Sequence, residues 1–240
     1  MCTLTWYSGD HSYGVLFSRD ESNARSEAEP PSIHDDGATS FVSPRDPDGG
    51  GTWLWGNSQG VIACVLNHYP VDGETPQKPE SRGLLLLALT SCTHVEQVAA
   101  ALVRHDLSKY RPFLLFCRDN RLFRLFCWNM NRLEIVRESE INPPITTSGY
   151  RTQEVAAYRK GLYDTLIGAA VPINAEPLMR YHCRHDPAMA AHSVLTSRPH
   201  TRTRSISMVS VDSELVTFSY TTVHDSLMLE PPVTVQLSRD

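Results

Sequence analysis

The sequence predicts an α+β fold, and two observations lead to that prediction. Short apolar runs of strand length, bounded by Gly, Ser and Asp, occur near both ends of the chain. Regions in the middle of the chain have the lengths and caps of helices. Short strands at both ends that enclose helical regions fit two stacked, mainly antiparallel sheets covered by helices, an αββα sandwich.

Composition narrows the class of protein. A chain of 240 residues fits one large domain or two small ones, and its 41% hydrophobic and 20% charged residues are typical of a globular protein. A net charge of −5 without a long basic run argues against nucleic acid as a partner. The longest apolar run, Leu84 to Leu89, is too short to span a membrane, and the N-terminus lacks the features of a signal peptide. Cysteines without a CxxC pair indicate reduced thiols in a cytoplasmic protein.

The first residues of the chain predict a β-hairpin. Apolar runs from Thr3 to Tyr7 and from Gly14 to Phe17 flank a polar turn. In such a hairpin Arg19, at the end of the second strand, lies beside Cys2, at the start of the first. A guanidinium next to a thiol favours the thiolate and lowers the pKa of the thiol.

Cys2 directly follows the initiator Met1, and a small second residue generally permits removal of Met1. Cys2 would then carry both a thiol nucleophile and a free α-amine, whose reference pKa of about 7.7–8.0 lets it accept the thiol proton. The alternative is that Cys2 is a small buried hydrophobe and that Arg19, Asp20 and Glu21 form a solvated turn. The residues alone leave both interpretations open.

A loop and two strands are predicted next. Residues 22–52 are rich in Pro, Ser, Asp and Gly and predict a long loop. Its glycine-rich part, 46–51, lacks the Lys and the helix of a phosphate-binding loop, so we interpret it as a turn. Strands follow at 53–55 and 61–66. Asn67 ends the second strand, where its carboxamide is placed either to donate to an oxyanion or to cap a turn.

The middle of the chain predicts two helices and a strand meander. The apolar segment 84–92 is interpreted as a buried helix. A capping box from Thr93 to Glu96 predicts a second helix from His94 to about Arg104. The strands of the meander are predicted at 112–117, 122–128 and 133–138.

The last third predicts a loop, two helices and the closing strands. The loop at 141–149 precedes a helix at 152–167, and Asp186 with Pro187 begins a helix that ends near Leu195. The closing strands are predicted at 206–211, 215–222 and 233–237. The spacing of His182, Cys183, His185 and His192 matches no zinc site, so no metal is expected.

Several motifs together resemble those of the NRDE family, which includes the Transport and Golgi organization protein 2 homologues. The family takes its name from an Asn-Arg-Asp-Glu tetrad, which Ser18-Arg19-Asp20-Glu21 matches at three of four positions. Blocks at 50–54, 65–69, 81–84 and 203–212 resemble further family motifs in the same order. The family is related to the cysteine N-terminal nucleophile hydrolases, and the resemblance covers nearly the whole chain.

The resemblance implies one domain over 1–240 with the αββα fold of the N-terminal nucleophile hydrolases. It implies cleavage of a linear, non-peptide C–N amide bond of a small molecule, without a cofactor. Cys2 would be the nucleophile, Arg19 would hold the thiolate, and Asp20 would orient the α-amine. Asn67 would stabilise the oxyanion, and Arg204 would support Asp20 or bind an acidic group of the substrate.

The substrate-binding candidates are Trp53, Thr147 and Ser148. In the cysteine branch of these hydrolases, the loop before the helix at 152–167 usually holds an Asn that touches the substrate or the oxyanion. Next to the helix this chain has Thr146, Thr147 and Ser148 instead, and Asn142, earlier in the loop, is the remaining alternative. In related acylases a carboxylate follows the arginine by three residues. That position is Ser22 here, so Asp20 is assigned the role.

A second hypothesis is a non-enzymatic protein that binds a hydrophobic ligand. Relatives of the family have been tied to haem transfer and to secretory-pathway organisation, and the same fold could keep Cys2 as a ligand or a vestige. The sequence has no Cys-Pro motif and singles out no His as an axial haem ligand. The enzyme hypothesis requires a free amine on Cys2 together with a thiol of low pKa, whereas the binding hypothesis does not need the amine.

Overall fold

The computed structural model describes residues 2–69, 76–168 and 174–240, which form two antiparallel sheets with few helices. The predicted α+β class is therefore confirmed. The strands of the first sheet are β1 (Cys2–Ser8), β2 (Tyr13–Ser22), β10 (Ile145–Thr147), β11 (Thr201–Val211), β12 (Leu215–Thr222) and β13 (Val233–Ser238). They are arranged in the order β10-β1-β2-β11-β12-β13.

The second sheet runs in chain order. Its strands are β3 (Glu29–Asp35), β4 (Ser40–Arg45), β5 (Leu54–Asn57), β6 (Ile62–Asn67), β7 (Phe113–Arg118), β8 (Phe123–Trp128) and β9 (Leu133–Ile135), each hydrogen-bonded to the next. The helices are α1 (Arg82–Leu87), α2 (Val95–Arg104), α3 (Thr152–Leu166) and α4 (Ala175–His182). Among the described residues, no helix is long and apolar enough to cross a membrane.

Contacts among the residues divide the chain into two compact units. The first comprises Met1–Arg25, Asn142–Ser213 and Thr217–Thr234, and it contains β1, β2, β10, β11, α3 and α4. The second comprises Ser26–Ile141, Glu214–Val216 and Val235–Asp240, and it contains the second sheet with α1 and α2. The single domain over 1–240 that the family resemblance implies stays a prediction.

The apolar core of the first unit forms on one face of its sheet. Strand alternation puts Tyr7 of β1 and Leu16 of β2 on the same side. Tyr163 of α3 and Leu178 and Tyr181 of α4 pack against them. The alternate residues of β1, beginning with Cys2, therefore lie on the opposite face of the sheet.

A buried histidine fixes α4 to the N-terminal hairpin. His182 is fully buried, and its Nε2 lies 2.9 Å from Thr5 Oγ1 while its Nδ1 lies 2.7 Å from Ser18 Oγ. Burial, aided by the charge of Arg159, lowers the pKa of His182 to about 3. The ring is therefore neutral, with one nitrogen donating and the other accepting, and it joins β1 and β2 to α4.

Two of the sequence blocks that resemble the NRDE family meet in the second unit. Gly51 packs so tightly against Gly83, at the start of α1, that a Cβ added to Gly51 would lie 2.3 Å from the Gly83 carbonyl carbon. The Thr52 N–H also donates to the Gly83 carbonyl at 3.4 Å. Glycine is required at this contact because two backbones approach each other directly.

The structure corrects several element predictions. The expected loop at 22–52 contains β3 and β4, which the prolines concealed because Pro is tolerated on an edge strand such as β3. The expected loop at 141–149 contains β10, which is only three residues long. The helix predicted to follow Asp186 is a single 3₁₀ turn, Pro187–Met189, although Asp186 does cap it. The helix predicted at 84–92 begins earlier and is shorter, at Arg82–Leu87.

Helix α4 was not predicted at all. Pro177 lies in its first turn, where the missing N–H breaks no helical bond, but in the sequence it reads as a helix breaker. Asn174 caps this helix by accepting the N–H of Glu176. The hairpin β1–β2, the helices α2 and α3 and the meander β7–β8–β9 agree with prediction to within a few residues.

We expect His182 to make stability depend on pH. Its folded pKa is below its unfolded value, so its contribution is present above about pH 6.5 and is lost as the pH falls toward 3. From pH 7 to pH 5, unfolding free energy should drop by about 2 kcal/mol through this residue. The carboxamide of His182→Gln can still hydrogen-bond but does not titrate. The free energy of unfolding of this variant, measured with urea, should therefore depend less on pH. His200→Gln, at an exposed histidine, should keep the pH dependence of the unchanged chain, and an equal pH dependence in all three proteins would contradict the assignment.

The contact between Gly51 and Gly83 gives a second prediction, and a matched control variant should change stability in the opposite direction. Gly51→Ala should destabilise the chain by about 2 kcal/mol or more, because the new Cβ meets backbone atoms that cannot move independently. Gly161→Ala, in α3, meets nothing within 4 Å and should stabilise it by about 0.5–1 kcal/mol. Thermal unfolding of both variants measures the difference. Equal effects would show that the Gly51 contact is loose in solution.

Candidate active site

Cys2 lies in the middle of a row of polar side chains that crosses four strands. It is the cross-strand neighbour of Thr147 in β10 and of Arg19 in β2, and Arg19 is in turn the neighbour of Ser205 in β11. Directly opposed residues of antiparallel strands place their side chains on the same face. The predicted position of Arg19 beside Cys2 is thereby confirmed.

The charge of Arg19 is shared within the site. Its side chain is buried, and its Nη2 lies 3.4 Å from Oε2 of Glu21, which is on the same face two residues along β2. Arg19 therefore acts on Cys2 as part of an ion pair rather than as an isolated cation.

With Met1 in place, the Cys2 thiol does not have the low pKa that the enzyme hypothesis requires. Burial raises the pKa of the thiol, and the charges of Asp20 and Glu21 raise it further. Arg19 acts in the expected direction, but it does not outweigh the loss of water around the sulfur. A thiol in this environment is protonated at neutral pH and needs a base before it can act as a nucleophile.

Asp20 is buried on the helix-facing side of the sheet. Its Oδ2 accepts hydrogen bonds from Nη1 and Nη2 of Arg159, at 3.2 and 3.1 Å, and its Oδ1 accepts one from Thr203 Oγ1 at 2.7 Å. Arg159 also donates to Thr3 Oγ1, next to Cys2, at 2.5 Å. Both charged side chains are almost completely buried, so each depends on the other for its partner.

Arg204 was predicted to support Asp20, but Arg159 forms that ion pair. Arg204 is the extra residue of a bulge between Thr203 and Ser205, and its guanidinium donates to the carbonyl oxygens of Asn23 and Arg25. The neighbouring arginine on the face of Cys2 is Arg202, which pairs in register with Glu21. Its Nη1 donates to the Val223 carbonyl at 2.5 Å, and its Nη2 forms an ion pair with Asp225.

Two of the substrate-binding candidates, Thr147 in β10 and Ser148 in the turn that follows it, differ in role. The Ser148 hydroxyl donates to the Tyr150 carbonyl at 2.6 Å and accepts the Tyr150 N–H, so it stabilises the turn before α3. The Thr147 hydroxyl, on the face of Cys2, is buried and has no hydrogen-bond partner among the described residues. Leaving such a group unpaired typically costs about 1–3 kcal/mol.

Asn67 and Trp53 belong to the second unit. Asn67 ends β6 as predicted, is half-buried, and donates from Nδ2 to Tyr69 Oη at 3.1 Å. Trp53 is buried just before β5. The proposed roles of these two residues in oxyanion stabilisation and substrate binding stay predictions.

The histidines considered for metal binding have other partners. His182 bonds to Thr5 and Ser18, and Nδ1 of His185 lies 2.9 Å from the Leu195 carbonyl oxygen. Within the described part of the chain, no group of three or more His, Cys, Asp or Glu side chains is placed to hold a metal ion.

Sequence reasoning missed Arg159, Thr203 and Ser205, and the family resemblance favoured Arg204 over Arg202. One signal was available for Arg159, since Val155, Arg159 and Tyr163 follow at four-residue intervals and share the buried face of α3. An arginine inside an apolar stripe indicates a buried partner of opposite charge. Its partner Asp20 is too distant in sequence to be identified from spacing.

Comparison with solved structures finds proteins that share this fold. Penicillin V acylase from Agrobacterium tumefaciens matches with a TM-score of 0.54 at 16% identity, over 99% of this chain and 86% of that one. Two variants of conjugated bile acid hydrolase from Clostridium perfringens match with TM-scores of 0.53 and 0.52 at 12% and 13% identity, over 99% of this chain and 92% of theirs. At such low identity these matches show the fold alone.

Sequence comparison identifies the family more directly. A search of curated proteins finds no match. The model of the family Transport and Golgi organisation 2 matches residues 1–160, which include β1, β2, α3 up to Lys160 and the motif blocks at 50–54, 65–69 and 81–84. The chain therefore belongs to the Transport and Golgi organisation 2 family.

Proposed function

We propose that this chain is an N-terminal-cysteine amidohydrolase that cleaves a linear, non-peptide C–N amide bond of a small molecule through a thioester intermediate. The observation that carries the proposal is the register of β1 and β2, which sets Cys2 beside the buried Arg19. Membership of the family and a fold shared with acylases support the same chemistry.

The first step is activation of the thiol. Removal of Met1 frees the Cys2 α-amine, which accepts the thiol proton, and the thiolate then attacks the amide carbonyl. Because burial raises the pKa of the thiol, the amine rather than Arg19 alone has to make the thiolate available. Arg19 holds the sulfur while it carries negative charge.

The second step is collapse of the tetrahedral intermediate. In our proposal Asn67 and backbone N–H groups stabilise the oxyanion, while Trp53, Thr147 and Ser148 contribute to substrate binding or to its surroundings. The protonated α-amine gives its proton to the leaving amine, the C–N bond breaks, and an acyl thioester on Cys2 remains. Water then hydrolyses the thioester and regenerates the thiol.

Asp20 acts as a positioning residue in this scheme. Arg159 and Thr203 hold its carboxylate, and Arg159 also binds Thr3, the residue after the nucleophile. The proposal keeps Asp20 as the group that orients the α-amine and gives Arg159 the supporting role expected of Arg204. Arg204, at the bulge, has no role in this scheme, because its guanidinium donates to the carbonyl oxygens of Asn23 and Arg25.

One prediction of the proposed function concerns the thiol of Cys2. In the full chain, Met1 should be absent, and a brief, sub-stoichiometric iodoacetamide pulse at neutral pH should label Cys2 well ahead of Cys64 and Cys183. Cys64 is buried as deeply as Cys2 but has no arginine as a cross-strand neighbour, so it serves as the internal control. Intact mass and peptide mapping measure both properties, and Cys2→Ser should abolish acyl-thioester formation from an amide library.

Two outcomes would remove the hydrolase mechanism. Retained Met1 leaves Cys2 without a free amine. Removed Met1 with Cys2 no more reactive than Cys64 would favour a non-enzymatic binding protein, for which ligand affinity should survive Cys2→Ser.

Another prediction distinguishes Arg159 from Arg204 as the partner of Asp20. Arg159→Met leaves the buried Asp20 carboxylate without its cation and should lower the unfolding free energy by about 3–5 kcal/mol. Arg204→Gln removes hydrogen bonds to two carbonyls near the surface and should cost about 1 kcal/mol or less. Urea unfolding of both variants gives the comparison, and similar losses would show that Arg159 is not the principal partner of Asp20.

A further inference from the structure

The face that carries Cys2 holds buried donors without partners. Ser205 Oγ and Ser207 Oγ in β11, Thr147 Oγ1 in β10 and Arg202 Nε in β11 are buried and lack a hydrogen-bond partner within the part of the chain that the structure describes. Ser205 is completely buried and Arg202 is 6% exposed. Native proteins rarely leave so many buried polar groups unpaired on one surface.

The chemistry of these groups is that of donors. The Nε–H of arginine can only donate, and each hydroxyl can turn its proton toward an incoming oxygen. Arg202 already uses its other nitrogens on the Val223 carbonyl and Asp225, so the Nε–H is a remaining donor of a charged group. A ligand oxygen that accepts several hydrogen bonds would satisfy this set.

The charge on the same face is positive. Register places Arg19, Glu21, Arg202 and Ser205 together at one end of β2 and β11. Two guanidinium groups there face one carboxylate, Glu21, because the other partner, Asp225, has a side chain that is 93% exposed and is screened by solvent. An anionic oxygen group is therefore favoured over a neutral one.

The cluster is close to both the nucleophile and the surface. Strands in a sheet are about 4.7–4.9 Å apart, so Arg19 is one strand and Ser205 two strands from Cys2. Glu21, two residues after Arg19 in β2, is half-buried, and the chain reaches exposed residues at Asn23. The cluster therefore lies between the thiol and the exposed end of the strand.

We propose that Arg202 and Ser205, with Arg19, form an anion subsite beside Cys2, so that the substrate is an amide with a carboxylate or similar acidic oxygen group near the scissile bond. This inference deepens the proposed hydrolase function and rests on it for the identity of the reacting bond. Arg202 and Ser205 are the residues that determine specificity for the acidic group. An N-acylglycine is a simple amide of this class, because one methylene links its amide nitrogen to a carboxylate.

The test compares two ligands that differ in charge alone. N-octanoylglycine and its neutral analogue N-octanoylglycinamide are titrated calorimetrically into the full chain carrying Cys2→Ala, which removes turnover. The acidic amide should bind at least about tenfold more tightly. Arg202→Gln should weaken its binding by about fivefold or more, and Ser205→Ala by about two- to fivefold, with little change for the neutral amide.

Matched controls separate the site from general charge effects. Arg202→Lys keeps a cation and should retain most of the preference. Arg180→Gln removes a cation from the exposed side of α4 and should change nothing. If Arg202→Gln fails to fold, Ser205→Ala alone decides the question, because it removes only one oxygen atom.

Three outcomes overturn the subsite: neither amide binds, both bind equally, or the preference survives both Arg202→Gln and Ser205→Ala. The outcome for the hydrolase function is read separately, from thioester formation on the unmodified thiol. Charge-selective binding without any thioester would keep the anion subsite and remove the proposed reaction, while thioester formation without charge selectivity would do the reverse.

Discussion

The buried ion pair between Asp20 and Arg159 is the interaction on which the N-terminal hairpin depends. Alternation along β2 sends Arg19 to the face of Cys2 and Asp20 to the face of the helices, so two adjacent charges serve two different surfaces. Arg159 joins the carboxylate to Thr3 and to the carbonyls of His192 and Ser193. One guanidinium thus ties the residue after the nucleophile to α3 and to the chain that leads into β11.

The same face holds Ser18, where the chain departs from the family tetrad. The hydroxyl of Ser18 bonds to the His182 ring, which also bonds to Thr5. A fully buried imidazole with a pKa of about 3 stays neutral. It therefore makes directional hydrogen bonds without placing a charge in the core that would need a partner. The helix-facing side of the hairpin therefore carries two polar anchors, one ionic and one neutral, at alternate residues of β1.

Local patterns were sufficient for the parts of the fold that form from neighbours in sequence. The hairpin, its register at Cys2 and Arg19, and helix α3 follow from apolar periodicity and turn residues. Local patterns did not predict the partner of Asp20, because residues 20 and 159 meet only through tertiary packing. The family resemblance pointed to Arg204, but the bulge at Arg204 adds one residue to β11, so that Arg202 rather than Arg204 lies on the face of Cys2.

The environment of the thiol links these elements to the chemistry. Sequence alone suggested that Arg19 would lower the pKa of Cys2, but Arg19 is paired with Glu21, and burial acts more strongly in the opposite direction. A buried, protonated thiol that has no base beside it is protected against alkylation and oxidation, since the thiolate is the reactive form. It becomes a nucleophile only when a base lies within reach, and the nearest base that this strand can supply is the amine of Cys2 itself. In the proposed mechanism, reactivity depends on removal of Met1, and processing of the N-terminus is the step that would activate the site.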